Sequence, residues 1–203
     1  IGGTATGIEA SSSSDITSLY TGTVPTGIAD AKISVNDTTI NAATLNTING
    51  YTTGDVTTTA VTISGNVADI ETAFAASGSG IVFSQTLAGA NAITATVTDT
   101  NVDAANLVDV NAQTDGLVTV SGGTTITGTA TEVQSAFTAA AAGTPTIAGL
   151  GSINITLDDP DTTGTQSYAI NTIHPLIDTL TGWTGKVTAP VSPTAAADLA
   201  NTT

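Results

Sequence analysis

The sequence predicts a mainly β fold, in which tandem repeats of about 62 residues form sandwich-like modules with short inserted helices. Three observations support this class. The chain aligns with itself after a shift of 62 residues, short segments alternate apolar and hydroxyl residues, and helical patterns follow these segments. A β-solenoid is the alternative, since a strand and a short helix recur about every 30 residues.

The internal repeat covers nearly one full period. Three stretches of the first copy have counterparts in the second: 37–45 with 99–107, 52–57 with 114–119, and, after one inserted residue, 63–74 with 126–137. A third copy begins at Ile153 and then diverges. Similarity over a whole period indicates tandem structural units.

The alternating segments predict half-buried strands. Residues 33–35, 93–97 and 153–157 place an apolar residue at every second position, with Thr, Ser or Asn between. Threonine suits the solvent-facing side because it is polar and β-branched. Residues 41–49 and 103–111 then predict two helical turns each, before Gly54 and Gly116 and a further strand.

A second helix in each copy has the clearest start signals. Thr129-Ala-Thr-Glu132 has the form of a capping box, and Asn66 with Asp69 is its counterpart in the first copy. The helical stripes that follow end in Phe74 and Phe137. We interpret these two phenylalanines as core anchors of their units, in preference to cofactor contacts.

These patterns divide the chain into five segments. They are an extended N-terminal arm (1–30), repeat 1 (31–92), repeat 2 (93–152), a divergent third unit or cap (153–187) and a C-terminal tail or linker (188–203).

Composition excludes several function classes. The chain has 44 Thr, 31 Ala, 21 Gly and 15 Ser among 203 residues, but only two Lys, no Arg and a net charge of −15. Nucleic-acid binding rests on several cationic contacts, and anionic membranes attract basic segments, so neither partner is expected. Insertion into a membrane is not predicted, because no apolar stretch is long enough. The chain has no cysteine, which excludes thiol chemistry.

Catalytic motifs are missing from the sequence. His174 is the single histidine, no nucleophile elbow accompanies it, and neither a P-loop nor a dinucleotide-binding glycine pattern occurs. Paired carboxylates could cleave glycosides, but sugar subsites usually need aromatic platforms and the chain has seven aromatic residues. We therefore expect a protein that is not an enzyme.

Calcium is the one cofactor that the composition favours. Calcium takes carboxylate, amide and carbonyl oxygens, and an acid closes the alternating strand in each copy. The candidate ligands are Asp37, Asn41, Asp99, Asn101, Asp103, Asp158, Asp159 and Asp161. The alternative is that these residues cap helices and end strands.

The repeat resembles known extracellular repeats. Residues 63–74, followed by Ala92-Ile-Thr-Ala-Thr-Val-Thr-Asp99, resemble cadherin-like repeats of large bacterial adhesins. Residues 103–133 are similar to repeats in giant surface proteins of bacteria, cyanobacteria among them, and the composition is similar to S-layer proteins. The resemblance covers residues 31–161 and implies β-rich modules, calcium at module junctions and roles in adhesion or surface assembly. The chain lacks a clear acidic calcium motif set, so the metal sites transfer poorly.

Together these observations predict a noncatalytic structural protein outside the cell, at a bacterial surface. It would be part of a self-assembling filament, surface layer or adhesin stalk, with copies of itself as partners. In this hypothesis the arm of residues 1–30 adds a strand to a neighbour's sheet. The alternatives are a calcium-dependent adhesive module with a glycan or cell-surface ligand, and a secreted hydrolase that no motif supports.

Overall fold

The computed structural model describes residues 7–21, 28–142, 146–158 and 183–188. Helices make up 33% and strands 29% of these residues, and every sheet contains only parallel strands. The chain is therefore an α/β protein in which sheets alternate with helices, as in Rossmann-like architectures. The prediction of a mainly β fold with sandwich-like modules is wrong, and so is the β-solenoid alternative.

The physical reason for this correction lies in the helices. Parallel neighbours cannot be joined by a tight hairpin, so the chain must cross back between them, usually through a helix. Here helices of nine to twelve residues provide that crossover. Each buries an apolar stripe, for example Leu45 and Ile48 in one helix and Val67 and Ile70 in the next. The short helical patterns are thus half of the fold and not insertions in a β framework.

The chain divides into two compact units, of which the first comprises residues 1–97 with 112–116. Its described elements are β1 (Gly7–Ser11), α1 (Ser13–Thr21), β2 (Lys32–Val35), β3 (Thr39–Asn41), α2 (Ala42–Gly50), β4 (Val56–Thr58), β5 (Thr62–Gly65), α3 (Val67–Ala75), β6 (Ile81–Phe83) and β7 (Thr94–Val97). The strands pair in the orders β1-β2-β4-β6 and β3-β5-β7.

The second unit comprises residues 98–111 and 117–203. Its described elements are β8 (Asn101–Asp103), most of α4 (Ala104–Gln113), β9 (Val118–Val120), β10 (Thr125–Gly128), α5 (Ala130–Ala141), β11 (Ile147–Ala148), β12 (Asn154–Leu157) and β13 (Val187–Thr188). The strands β8, β10, β12 and β13 pair in that order, and β9 pairs with β11.

Strand register builds the core of each unit from columns of aliphatic side chains. In the first unit Ile33, Val56 and Ile81 are in register and at most 1% exposed. In the second unit Val102, Ile126 and Ile155 form another buried column. Threonine and serine occupy the alternate, partly exposed positions of β5, β7 and β10. The predicted alternation is confirmed.

The N-terminal segment differs from the extended arm that we predicted. Residues Gly7–Ser11 pair with β2 of the same chain, and Ser13–Thr21 form a helix. The Ser12 side chain accepts a hydrogen bond from the Asp15 N–H at 3.2 Å, and the Asp37 carboxylate accepts one from the Ser13 N–H at 2.6 Å. Serine has modest intrinsic helix propensity, so these caps determine the helix start. Residues 1–6 and 22–27 of the proposed arm lie outside the described residues.

The capping box predicted at Thr129 is confirmed. The Thr129 side chain accepts a hydrogen bond from the Glu132 N–H at 3.3 Å, and the Glu132 carboxylate accepts one from the Thr129 N–H at 2.8 Å. Asn66 caps α3 in the same way, through the Asp69 N–H at 2.8 Å. Two backbone donors are therefore satisfied at the start of α5.

Removing this cap should weaken the second unit. Thr129→Ala is expected to lower the free energy of unfolding by about 1 kcal/mol, because a backbone N–H of the first turn loses its acceptor. Thr131→Ala, at an exposed position in the same helix, is the control and should change stability by less than about 0.5 kcal/mol. Urea unfolding followed by circular dichroism measures both values. Equal effects of the two substitutions would contradict the capping role.

Candidate functional site

A Thr-x-Gly turn lies in the first copy of the repeat, just before β4. The Thr52 hydroxyl donates a hydrogen bond to the Ala31 carbonyl at 2.6 Å, directly before β2. The same hydroxyl accepts one from the Gly54 N–H at 3.0 Å. A Cβ on Gly54 would lie 2.7 Å from the Ala31 carbonyl oxygen, so only glycine allows this approach. We call this arrangement of hydroxyl, carbonyl and glycine the clamp.

The second copy repeats the clamp with the same geometry. The Thr114 hydroxyl donates to the Ile93 carbonyl at 2.7 Å and accepts from the Gly116 N–H at 3.0 Å. Thr114 is only 3% exposed, so both hydrogen bonds are shielded from water. The donor follows its acceptor by 21 positions in both copies. The sequence alignment of 52–57 with 114–119 is therefore an alignment of clamps.

The third copy contains a partial clamp, in which tryptophan replaces threonine and supplies the donor but no acceptor for the glycine N–H. The indole N–H of Trp183 donates to the Ile153 carbonyl at 3.2 Å. A Cβ on Gly185 would lie 2.1 Å from that oxygen. Two residues later Val187 pairs with Ile155, as Val56 pairs with Ile33. The third copy, which diverges in sequence after residue 159, thus has a counterpart of the clamp at Trp183, with 30 positions between donor and acceptor.

The clamp of the second copy should contribute strongly to the stability of the folded chain. Thr114→Val keeps the side-chain shape but removes both hydrogen bonds, leaving the buried Gly116 N–H without this acceptor. We expect a loss of about 2–3 kcal/mol in the free energy of unfolding. Thr124→Val is the control, because its exposed hydroxyl makes a single 3.2 Å bond to Thr100. Differential scanning calorimetry on both variants checks this, and equal melting temperatures would refute the assignment.

One connection breaks the regularity of the first unit. The connections from the β1-β2-β4-β6 sheet to the β3-β5-β7 sheet are short, residues 36–38 between β2 and β3 and residues 59–61 between β4 and β5. The equivalent connection from β6 to β7 spans residues 84–93. Insertions in repeat proteins often supply the binding surface. We call this segment the β6–β7 loop.

The β6–β7 loop is held by hydrogen bonds at both ends and in the middle. At its start the Ser84 N–H donates to the Thr58 carbonyl at 2.8 Å, and near its end the Ile93 N–H donates to the Thr86 carbonyl at 3.0 Å. Asp115 fixes the tip: its carboxylate accepts from the Gly89 N–H at 2.7 Å, and its own N–H donates to Leu87 at 2.8 Å. The loop therefore has a defined conformation.

A concavity of about 520 Å³ lies where this loop meets the sheet. Its lining carries two carboxamides, two hydroxyls and two apolar side chains, from Gln85, Asn91, Thr62, Thr94, Val61 and Ala92. Val61 is 47% exposed, the highest value among the exposed large apolar residues in the described part of the chain. The hydroxyls of Thr62 and Thr94 lie 2.9 Å apart and share a hydrogen bond across β5 and β7. The volume is in the range of small-ligand sites.

Several predicted calcium ligands cap helices. Asp37 accepts from the Ser13 N–H, Asn41 accepts from the Thr44 N–H at 3.3 Å, and Asp103 accepts from the Asn106 N–H at 2.9 Å. Each of these oxygens thus satisfies a backbone donor at the start of a helix. This placement matches the alternative that the sequence left open for these three residues.

The other described candidates, Asp99, Asn101 and Asp158, lie at or near strand ends. Asn101 and Asp158 are exposed, Asp99 is partly exposed and engaged in an interaction, and Asp159 and Asp161 lie outside the described residues. Within the described ranges no three acidic or histidine side chains lie close enough together to hold a metal ion. Across those same ranges no helix is long and apolar enough to span a membrane. His174 also lies outside them.

Comparisons with protein families, with curated proteins and with solved structures find no match to this chain. The site is therefore defined by geometry alone. The features that sequence reasoning missed are the Trp183 clamp and the concavity. The first had a signal, because Trp-Thr-Gly-Lys-Val187 aligns with Thr-Thr-Gly-Asp-Val56 once a longer connection is allowed.

Proposed function

We propose that this chain is a noncatalytic structural protein outside the cell, a segment of a filament, surface layer or adhesin stalk. The observation that carries the proposal is the recurrence of the clamp, complete at Thr52 and Thr114 and with the donor bond alone at Trp183. Each clamp ties the start of a copy to a strand more than 20 residues later. A chain of recurring units suits a segment of a larger repetitive assembly.

Surface chemistry supports a location outside the cell. Threonine and serine fill the alternate positions of β5, β7 and β10, and the two lysines of the chain contrast with 17 acidic residues. Lys32 is largely exposed and pairs with the exposed Asp55 at 3.4 Å, a contact that contributes little. A surface that is rich in hydroxyl groups and carries mostly negative charges keeps copies apart in solution at high concentration. Copies of the chain would associate through the edge strands of their sheets, because backbone hydrogen bonds between strands do not require opposite charges.

Assembly of the whole chain is the test. We expect sedimentation velocity to show oligomers that grow with protein concentration, and negative-stain microscopy to show ordered fibres or sheets. Repeating both measurements with about 1 mM calcium separates a metal-dependent assembly from an independent one. A monomer at every concentration, with and without calcium, would contradict the self-assembling role.

A variant pair sharpens this test. Val82, 39% exposed, lies on β6, the last strand in the order β1-β2-β4-β6. Val82→Lys should reduce assembly because lysine on an edge strand opposes pairing with another chain. Leu19→Lys on helix α1 is the control, since Leu19 is similarly exposed at 36% but lies on no sheet. Equal assembly of the two variants would exclude this edge as the contact.

A further inference from the structure

We propose that the concavity beside the β6–β7 loop binds an uncharged carbohydrate chain, a function that goes beyond the structural role. The first argument is the departure from the repeat. The loop has ten residues where the connections from β2 to β3 and from β4 to β5 have three. It supplies three of the six lining residues, and two of them, Gln85 and Asn91, carry carboxamides. Neither carboxamide bonds to another described residue, and both side chains are exposed.

The lining matches the chemistry of a sugar ring. A carboxamide offers two donors and an acceptor, which suits a pair of neighbouring sugar hydroxyls. The Thr94 hydroxyl donates to the Val61 carbonyl at 3.3 Å and shares a hydrogen bond with the Thr62 hydroxyl, so toward a ligand the two hydroxyls offer acceptor lone pairs. Val61 and Ala92 supply apolar surface for the C–H groups of the ring. A site of this kind fixes orientation through a few polar groups and gains affinity from the apolar ones.

Charge indicates that the carbohydrate is neutral. None of the lining residues is ionisable, and the Asp115 carboxylate, which holds the tip of the loop, accepts a hydrogen bond from the Gly89 N–H at 2.7 Å. The whole chain carries a net charge of −15, which repels uronates, sulfated sugars and phosphates. A cationic ligand would find no carboxylate in the lining.

Strand pairing argues against a peptide as the ligand. Peptides that add to a sheet need a strand with unpaired backbone groups. Two lining residues lie on strands, Thr62 on β5 and Thr94 on β7, and β5 is paired on one side with β3 and on the other with β7. Recognition must therefore come from side chains, which favours a ligand rich in hydroxyl groups over one that binds through its backbone.

The site is also preorganised. The hydrogen bonds of Ser84, Gly89 and Ile93 hold the loop before any ligand arrives, so little conformational entropy is lost on binding. Asp115 is a positioning residue in this proposal. Its carboxylate holds the loop tip and does not line the concavity.

Titration of the 15N-labelled full chain tests the proposal. The probes are cellohexaose, chitohexaose, maltohexaose and mannohexaose, with hexagalacturonate as the anionic comparison. We expect saturable shifts of the Gln85 and Asn91 side-chain NH₂ signals with at least one neutral probe, and none with hexagalacturonate. Gln85→Ala and Asn91→Ala should each raise the dissociation constant about three- to tenfold.

Asn36→Ala is the matched control, because Asn36 is an exposed carboxamide in the short connection between β2 and β3. It should leave both the shifts and the affinity unchanged. The proposal is overturned if no neutral probe shifts these two signals, if hexagalacturonate binds equally well, or if Asn36→Ala lowers affinity as much as the loop variants. Melting temperatures of all three variants should equal that of the parent chain, which separates lost contacts from lost folding.

Discussion

Gly116→Ala is expected to lower the free energy of unfolding by about 3–4 kcal/mol. A Cβ at this position would lie 2.1 Å from the Ile93 carbonyl oxygen and 2.7 Å from its carbon. Both are backbone atoms next to β7, so no side-chain rotation relieves the overlap. The Thr114 clamp must open or β7 must move. For a small domain with a total stability of about 5–15 kcal/mol, such a loss is a large fraction.

The control for this experiment is Gly50→Ala. Gly50 is the last residue of α2, and nothing lies within 4 Å of the position that its Cβ would take. Alanine there should stabilise the protein by about 0.5 kcal/mol, because it favours helix and restricts the unfolded chain. Guanidinium unfolding monitored by circular dichroism compares the two variants. If Gly116→Ala is no less stable than the parent chain, the close approach in the clamp is not a constraint.

Phe137→Ala is the second substitution with a large expected effect. Phe137 is fully buried in α5, at the position that Phe74 occupies in α3. Removing a buried phenylalanine ring costs about 3–5 kcal/mol, through lost burial and the cavity that remains. The second unit should therefore unfold at lower denaturant concentration. Both phenylalanines are core residues, as their place in the repeat predicted.

Two further variants show whether packing is the cause. Phe137→Leu keeps most of the apolar volume and should cost about 1–2 kcal/mol. Phe83→Ala removes a half-buried ring that packs edge-to-face on Phe74, with the ring centroids 5.9 Å apart. It should lower the free energy of unfolding by less than Phe137→Ala does. Chemical denaturation of the three proteins gives the ranking. A smaller loss for Phe137→Ala than for Phe83→Ala would contradict the assignment of Phe137 as the core anchor.

Local structure was predictable where a residue has one dominant physical role. Asn66 and Thr129 begin helices because their side chains replace missing backbone acceptors, and this signal is local. Alternation in β7 and β12 was readable because side chains of a strand point to opposite faces. Sheet direction was not readable in the same way. Strands of three or four residues carry no mark of their partner's direction, which depends on the path of the intervening helix.

The candidate site was harder to predict than the fold. Gln85 and Asn91 are uncharged and belong to no periodic pattern, so nothing in the sequence marks them until the strands place them around one concavity. The calcium prediction relied on Asp and Asn at strand ends. In this topology a helix follows directly after β3 and after β8. Asn41 and Asp103, the last residues of these two strands, therefore cap the helices that follow.

The substitution of tryptophan for threonine in the third clamp has a spectroscopic consequence. Trp183 is the single tryptophan of the chain, and its indole N–H is bonded to the Ile153 carbonyl while the ring is partly shielded from water. Its fluorescence therefore reports on one hydrogen bond at one place in the molecule. Opening of the third copy should shift the emission to longer wavelength. Circular dichroism reports on all the helices, so an earlier midpoint in fluorescence would show that the third copy opens first.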